Sequence, residues 1–485
     1  MSHLAVDLGA NGGKVYIGTI DGGGIAVEPV GRFDNRPVEW NGRYVWDLER
    51  LVATLRAEID TVLRTRDVDT LAVDTWGVDF GLLADGELLA DPYSYRDPDL
   101  DATIGEITEE VSRFELFRRT GINHWNLANT LWQYHYLATE EPDLLSQADR
   151  LAMMPQVVAT LLGARPTCEP TIASTTQMLN PSTREWDRTL LDRLELPTEP
   201  LPELESAGTT IGTLDTAAVD IVLPASHDTA SAVAGLPLEG DTPAFLATGT
   251  WFIVGLEMEA PVLTREAFEL GASNELGADD TVRFLSNING FFLLEECRER
   301  WADHGDRPSY ATLLAAAAEA GTDALVNPDD PLFGIEGSMP DRIRRYCRAT
   351  DQQAPDTPGA VVRVIVRSLA AKTAIRLEDL TTAAGTAVDR LYLGGGGVRN
   401  ELFCRELATA VDLPVYAGGA DATAVGNILL QAIATGAVSD LTAGRKLVAD
   451  SMPQTRYRPS SDASGGLLRD RMRTLCGQTV GERAA

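Results

Sequence analysis

Two stretches, LAVDLGANGGKVYIGTI (residues 4–20) and PAFLATGTWFIVGLEM (residues 243–258), share one plan: an apolar strand, a turn of small residues, and a second apolar strand. Their identity is negligible, so the likeness is architectural. A chain of 485 residues is too long for one ordinary core. The repeat therefore predicts two related domains, each opened by a hairpin. The first tip is small and flexible, and its unobstructed backbone N–H groups could cradle an anion or simply close a turn. Domain bounds of 1–225, 226–455 and a tail of 456–485 follow.

Strand and helix signals alternate through the rest of the chain, which predicts an α/β architecture. Residues 47–66 have the spacing of an amphipathic helix opened by Asp47 as N-cap, and a strand follows over 70–83. Helical spacing covers about 107–120, 127–140, 143–163 and 358–384, whereas 164–225 reads as irregular and rich in proline punctuation. A strand leads into GGGGVRN (394–400), then the helix ELFCRELATAV (401–411) and the segment LPVYAGGADATAVGNILLQAI. Strand, glycines and helix can bring backbone close to a nucleotide; the same pattern also serves an ordinary tight turn. A final arginine-rich helix is expected near 465–476.

Composition narrows the possibilities. Acidic residues number 72 against 41 basic ones, for a formal charge of −31. Such a surface repels nucleic acid and anionic membranes, and acidic excess also keeps proteins soluble in concentrated salt. A salt-adapted cytoplasm is the expectation. No apolar run approaches the ~18 residues of a membrane span, and the start lacks the basic and apolar regions of a signal peptide. The five cysteines form no CxxC pair and read as buried thiols. Lysine occurs only at 14, 372 and 446, so Lys14, beside the first glycine turn, draws attention.

The stretch PASHDTASAVAGLP (224–237) sets His227 against Asp228 just before a run of small residues. Asp228 either caps a helix or takes a proton. Small-residue turns follow apolar strands at 9–13, 247–250 and 394–397, yet no Walker loop, kinase HRD or DFG set, or GxGxxG pattern in context is present. Another ATP-binding plan is needed. Phosphoryl transfer asks for in-line positioning, charge neutralisation and a base for the attacking hydroxyl.

VDTWGVDFGLL (73–83), PYSYRDP (92–98), LFRRTGI and NTLWQ (within 116–133), ASTTQMLNPSTREWD (173–187), SHDTASAV (226–233), TGTW (248–251), GGGVRN (395–400) and DATAVGN (421–427) occur in an order that resembles the FGGY-type carbohydrate kinases, and most of all their rhamnulokinase branch. The resemblance implies an α/β fold of two duplicated actin-like (ribonuclease H-like) ATPase domains with an interdomain cleft for ATP and Mg²⁺. It implies transfer of phosphate to the 1-hydroxyl of L-rhamnulose, with Asp228 as general base. His227, Asp228 and Thr229 would contact the sugar, with Gly77 close by. Ala10, Asn11, Gly12, Gly13 and Lys14 would hold phosphates, Thr250 would bind phosphate oxygens, and Asn287, Glu295, Gly395, Gly396 and Gly397 would line the nucleotide site. Asp7 would organise Mg²⁺ through water. The expected partners are a ketose and ATP, for a monomer or homodimer. A kinase for L-fuculose or L-xylulose, a non-catalytic sugar or nucleotide sensor, and an actin-like or chaperone-type ATPase are the competing readings.

The chain departs from the family pattern at three places. Asn11-Gly12-Gly13-Lys14 stands where Ser-Ser-Gly-Arg is usual, Gln156 where an aspartate often follows the proline, and Glu295 where a glutamine is usual. Trp76 and Tyr95 suit either sugar stacking or core packing, and Asp79 either a hydroxyl or a turn. His124, His135 and His304 are expected at isolated positions, and His3 carries no signal.

Overall fold

The computed structural model describes residues 1–21, 23–125, 128–303, 307–335, 337–461 and 464–481. His304 lies outside the described residues. By contact the chain divides into two units. The first comprises Met1–Pro237, Glu257–Phe284 and Asp421–Pro453; the second comprises Leu238–Leu256, Leu285–Ala420 and Gln454–Ala485.

In the first unit the strands Ser2–Gly9 and Gly12–Asp21 pair antiparallel, so Ala10 and Asn11 alone make the turn. Strand Gly24–Phe33 extends the meander. Strand Thr70–Thr75 pairs with Ser2–Gly9 in parallel, and Asp220–Val222 pairs in parallel beyond it. Thr210–Thr213 closes that edge antiparallel, completing six strands. These two short strands lie in the stretch that sequence reading takes as irregular. They are too short for alternation to show, and one carries a bulge between Thr210 and Gly212.

Helix Leu48–Leu63 forms where expected: Asp47 caps it by accepting from the Arg50 N–H at 3.0 Å, and Leu48, Leu51, Val52, Leu55, Ile59 and Val62 are buried. Burying each such side chain contributes about 1.5–3 kcal/mol. The helix expected over 143–163 is instead helix Pro142–Leu145, strand Arg150–Met153 and helix Met154–Leu161. The strand pairs with Phe80–Ala84, and Pro155 suits only the first turn of the helix that follows.

Helix Asp228–Ala234 packs on helix Ala422–Ala434 at glycine contacts. A Cβ on Gly426 would lie 1.8 Å from the Ser231 carbonyl oxygen, and one on Gly235 would lie 2.1 Å from that of Ala422. Only glycine permits this approach.

The second unit repeats the pairing plan. Strand Ala244–Thr248 is antiparallel to Trp251–Met258 and parallel to Leu391–Gly395. Val415–Ala417 adds in parallel and Thr455–Tyr457 antiparallel. Helix Pro358–Ala384 runs its expected length, capped by Thr357 and stopped by Gly385 in the left-handed region. Among the described residues no helix is long and apolar enough to cross a membrane. Cys168, Cys297, Cys347 and Cys404 are buried free thiols, and Cys476 is partly buried.

Candidate active site

The loop Ser226–His227 is clamped from both sides within the first unit. The Glu169 carboxylate accepts the Ser226 N–H at 3.0 Å and the Thr171 N–H at 3.0 Å, while the Thr171 hydroxyl accepts the His227 N–H at 3.2 Å. On the other side, Thr75 donates its N–H to the Ser226 carbonyl at 3.0 Å. Burial pushes the Glu169 carboxyl above its usual range.

His227 occupies the N-cap position of helix Asp228–Ala234, and its side chain makes no capping bond. Asp228 is the first helical residue. It caps nothing; its Oδ1 accepts the Thr229 hydroxyl at 3.0 Å and lies 3.4 Å from His227 Nε2. The Asp228 side chain is 30% exposed whereas that of His227 is 11% exposed, so the carboxylate is the part of the pair open to solvent.

The far side of the imidazole meets a buried ion pair. His227 Nδ1 is 3.2 Å from Glu275 Oε2 and 3.1 Å from Arg283 Nη2, and Arg283 Nη2 donates to the same Glu275 oxygen at 2.9 Å. His124 Nε2 lies 3.8 Å from Glu275 Oε1. Burial alone would raise the Glu275 carboxyl, but the Arg283 guanidinium and the two histidines hold it well below the carboxylate range. His124 is therefore not isolated. Sequence reading missed Glu169, Glu275 and Arg283, because nothing local in the chain links them to His227.

Gly77 lies two residues beyond the parallel strand Thr70–Thr75 that pairs with the Asp7 strand. A Cβ there would meet the Thr175 hydroxyl at 3.0 Å. The next residue, Val78, has φ +70°, a costly conformation for a β-branched side chain. It is held by its N–H to Thr175 Oγ1 at 3.2 Å and its carbonyl accepting the Thr130 hydroxyl at 2.6 Å. Asp79 is a buried hub. It accepts from Trp46 Nε1 at 2.7 Å, Trp76 Nε1 at 2.9 Å, Gln133 Nε2 at 2.8 Å and the Tyr95 N–H at 2.9 Å. Burial pushes Asp79 up to about 6 against these four donors. Trp76 is buried and packs on Trp46 with ring centroids 4.2 Å apart. Asp79 thus fixes the core beneath Gly77.

At the first hairpin tip, Asp7 and Lys14 stand opposite each other, 3.9 Å apart. Gly13 has no room for a side chain: a Cβ would sit 2.3 Å from the Phe33 ring. Arg96 donates to Asn11 Oδ1 at 3.2 Å, so the tip carries a guanidinium that the spacing gave no hint of. Asp74 is the register partner of Asp7 on the parallel strand. Burial pushes Asp7 up to about 6; Lys14 opposes this, and the charges of Asp228 and Asp421 reinforce it. Burial and the Asp7 charge raise Asp74 well above the usual range.

Asp74 also ends a buried polar chain. His3 Nδ1 is 2.8 Å from the Thr70 hydroxyl, which donates to Gln431 at 2.6 Å; Gln431 donates to Asn427 at 2.7 Å, and Asn427 to Asp74 Oδ2 at 2.6 Å. His3, read as uninformative, is buried and lowered to about 4 by desolvation.

The donor chemistry at Asp7 and Asp74 fits a divalent cation. Asp7 feels the charges of Asp228 and Asp421, Asp74 those of Asp7 and Asp228, Lys14 offsets part of this, and Asp74 Oδ1 is buried with no partner among the described residues. Among the described residues no group of three or more His, Cys, Asp or Glu is arranged to hold a metal directly.

In the second unit the hairpin turn is uncharged. The Thr248 hydroxyl donates to the Gly394 carbonyl at 2.6 Å and accepts the Gly397 N–H at 2.9 Å. Gly395 has φ +82°, and a Cβ there would lie 2.2 Å from the Thr248 carbonyl oxygen; on Gly397 it would lie 2.6 Å from Thr248 Oγ1, whereas Gly396 faces open space. The Thr250 carbonyl accepts the Gly290 N–H at 3.0 Å and the Phe292 N–H at 3.2 Å. These contacts bring Thr250 and the 395–397 turn onto one framework. Asn287 is partly buried on strand Val282–Asn289. Glu295, on helix Phe292–Ala302, is engaged by Arg298 at 2.8 Å and by Arg307 and Tyr310. The unusual carboxylate is thereby neutralised by two guanidinium groups.

Comparison with known proteins gives the family. Residues 2–235 match the N-terminal domain and residues 244–435 the C-terminal domain of the FGGY family of carbohydrate kinases. A rhamnulokinase from Bacteroides thetaiotaomicron is 36% identical over 474 residues, covering 96% of this chain and 97% of that protein. One from Lactiplantibacillus plantarum is 34% identical, covering 98% of each. Among solved structures, ligand-bound xylulose kinase from Lactobacillus acidophilus superposes with a TM-score of 0.77 at 16% identity, covering 100% of both chains. Plasmodium falciparum glycerol kinase with ADP gives 0.77 at 13% identity, covering 100% of this chain and 98% of that one. The fold is thus the duplicated actin-like, ribonuclease H-like one, and the chain belongs to the FGGY family of carbohydrate kinases.

Proposed function

We propose that the chain transfers the γ-phosphoryl group of ATP to the 1-hydroxyl of L-rhamnulose, giving L-rhamnulose 1-phosphate and ADP. The observation that carries this reading is the partly exposed Asp228 carboxylate beside His227, on a loop fixed by Glu169 and Thr171. The similarity to rhamnulokinases supports the choice of sugar.

Asp228 takes the hydroxyl proton as the sugar oxygen forms its bond to the γ-phosphorus; the bond from that phosphorus to the β–γ bridging oxygen breaks, and ADP leaves. His227, Thr229 and the Gly77 backbone orient the sugar. The turn Ala10–Asn11, Gly12, Gly13 and Lys14 hold phosphates, with Arg96 adding positive charge at Asn11. Thr250, Asn287, Glu295 and Gly395–Gly397 form the nucleotide end. The range 1–225 is the proposed sugar-binding part and 226–455 the nucleotide-binding part, with two crossings: His227, Asp228 and Thr229, which open the second range, serve the sugar, and residues 10–14 of the first serve the phosphates. Asp7 would hold Mg²⁺, which would supply charge neutralisation at the phosphates when bound. The acidic surface suits a cytoplasm rich in salt, and activity is expected to persist in molar KCl.

The test is ADP release with Mg²⁺ and ATP across a ketose panel. Stimulation by L-rhamnulose alone supports the proposal. Stimulation by L-fuculose or L-xylulose instead keeps the chemistry and overturns the substrate. ATP binding with no stimulation by any sugar favours a sensor.

A further inference from the structure

We infer that Glu275, supported by Arg283, is a positioning residue that fixes the His227 ring with its proton on Nδ1, so that Nε2 faces Asp228 without a hydrogen and leaves the carboxylate free to act as base. The inference rests on the phosphoryl-transfer reading above.

Burial decides which ring nitrogen carries the proton. Glu275 is 7% exposed at its side chain, and its Oε2 lies 3.2 Å from Nδ1. An unprotonated Nδ1 would set a lone pair against a carboxylate that little water can screen. Asp228 Oδ1 is 3.4 Å from Nε2 and its side chain is 30% exposed, so solvent or a sugar hydroxyl relieves the equivalent contact there. Arg283 Nη2 is 3.1 Å from Nδ1 and spends one of its two N–H groups on Glu275, while Nε donates to the Leu276 carbonyl at 3.1 Å. Nδ1–H and Nη2–H are then two donors on one acceptor oxygen.

The opposite arrangement would put the proton on Nε2 and spend an Asp228 lone pair on histidine. In the inferred arrangement Nε2 accepts from a sugar hydroxyl, and Asp228 keeps its lone pairs for the hydroxyl that reacts. The groups around the ring are Asp228, Glu275 and Arg283, with His124 beside Glu275 and Glu169 holding the loop. A buried ion pair is weak evidence for stability, and a role in orienting histidine gives this one a purpose.

Two measurements test the inference. Nitrogen chemical shifts of histidine-labelled full-length protein, assigned with His227→Asn, are expected to show Nδ1 protonated and Nε2 unprotonated in the neutral ring. The reverse pattern overturns the inference, and this readout does not depend on any Glu275 variant folding. Second, Glu275→Gln is made alone and with His227→Asn. With whichever ketose the wild type phosphorylates, Glu275→Gln is expected to lower kcat at least tenfold alone and less than twofold in the His227→Asn background. Equal losses in both backgrounds would make Glu275 merely structural. If no ketose is turned over, the proposed function fails, while the nitrogen pattern still decides the positioning.

Discussion

In the first unit the strand Ser2–Gly9 delivers Asp7 opposite Lys14, with Asp74 alongside. In the second, Ala244–Thr248 has the same pairing plan, antiparallel to its hairpin mate and parallel to a later strand, yet it carries no ionisable side chain. Its turn instead uses the Thr248 hydroxyl to stitch the hairpin to Gly394 and Gly397. The duplicated backbone gives each unit a turn at a strand end. Side chains then differ: the first turn is flanked by the charged pair Asp7 and Lys14, the second by an uncharged, close backbone approach. Gly13 leaves room for Phe33 and Leu8 at the first, whereas Gly395 adopts a positive φ that the second turn requires.

This contrast can be broken by substitution. Asp7→Asn removes charge without changing shape and is expected to lower kcat on the order of a hundredfold, with the fold intact by circular dichroism. An effect on ATP affinity alone would make Asp7 a mere neighbour of the nucleotide. Gly395→Ala attacks the second turn through geometry. Its Cβ would press on the Thr248 carbonyl at 2.2 Å with φ at +82°, at a cost of about 1–3 kcal/mol in thermal stability. Gly396→Ala, facing open space, should cost far less. Similar melting temperatures for the two variants would refute the close-approach account.

A third prediction concerns pH. Asp79 is raised to about 6, above its unfolded value near 3.9, so between about pH 4 and 6 the native state binds the extra proton. Its contribution to stability is therefore largest at low pH and falls as pH rises through that window. The stability of wild type relative to Asp79→Asn should drop across pH 4–6 by on the order of 2 kcal/mol, measured by denaturant titration. A pH-independent gap would contradict the burial argument. The smallest effect belongs to Lys14, 45% exposed. Lys14→Met should raise the KM for ATP only a few-fold, and less at high salt.

Much of this was legible before the structure. Hairpins, the long helix Pro358–Ala384 and the Asp47 cap follow from periodicity and local chemistry, which sequence displays directly. The strand Arg150–Met153 was hidden because its buried apolar run, Leu151–Met153, is only three residues long and looks the same in a helix. The site divides likewise. Asp228 and His227 are adjacent in the chain and stand out, whereas Glu275 and Arg283 reach His227 from 48 and 56 residues away. Asp79 misled because its four donors come from Trp46, Trp76, Tyr95 and Gln133, a convergence that only folding creates. His3 gains meaning only through Thr70 and Gln431.

The central claim is that Asp228 is the base for transfer to a sugar hydroxyl. The most direct measurement is kcat for L-rhamnulose in Asp228→Asn beside wild type, with sugar binding followed by calorimetry. The account predicts a fall of about 10²–10⁴-fold in kcat with sugar affinity nearly unchanged. A variant that keeps more than a few per cent of wild-type turnover would contradict it.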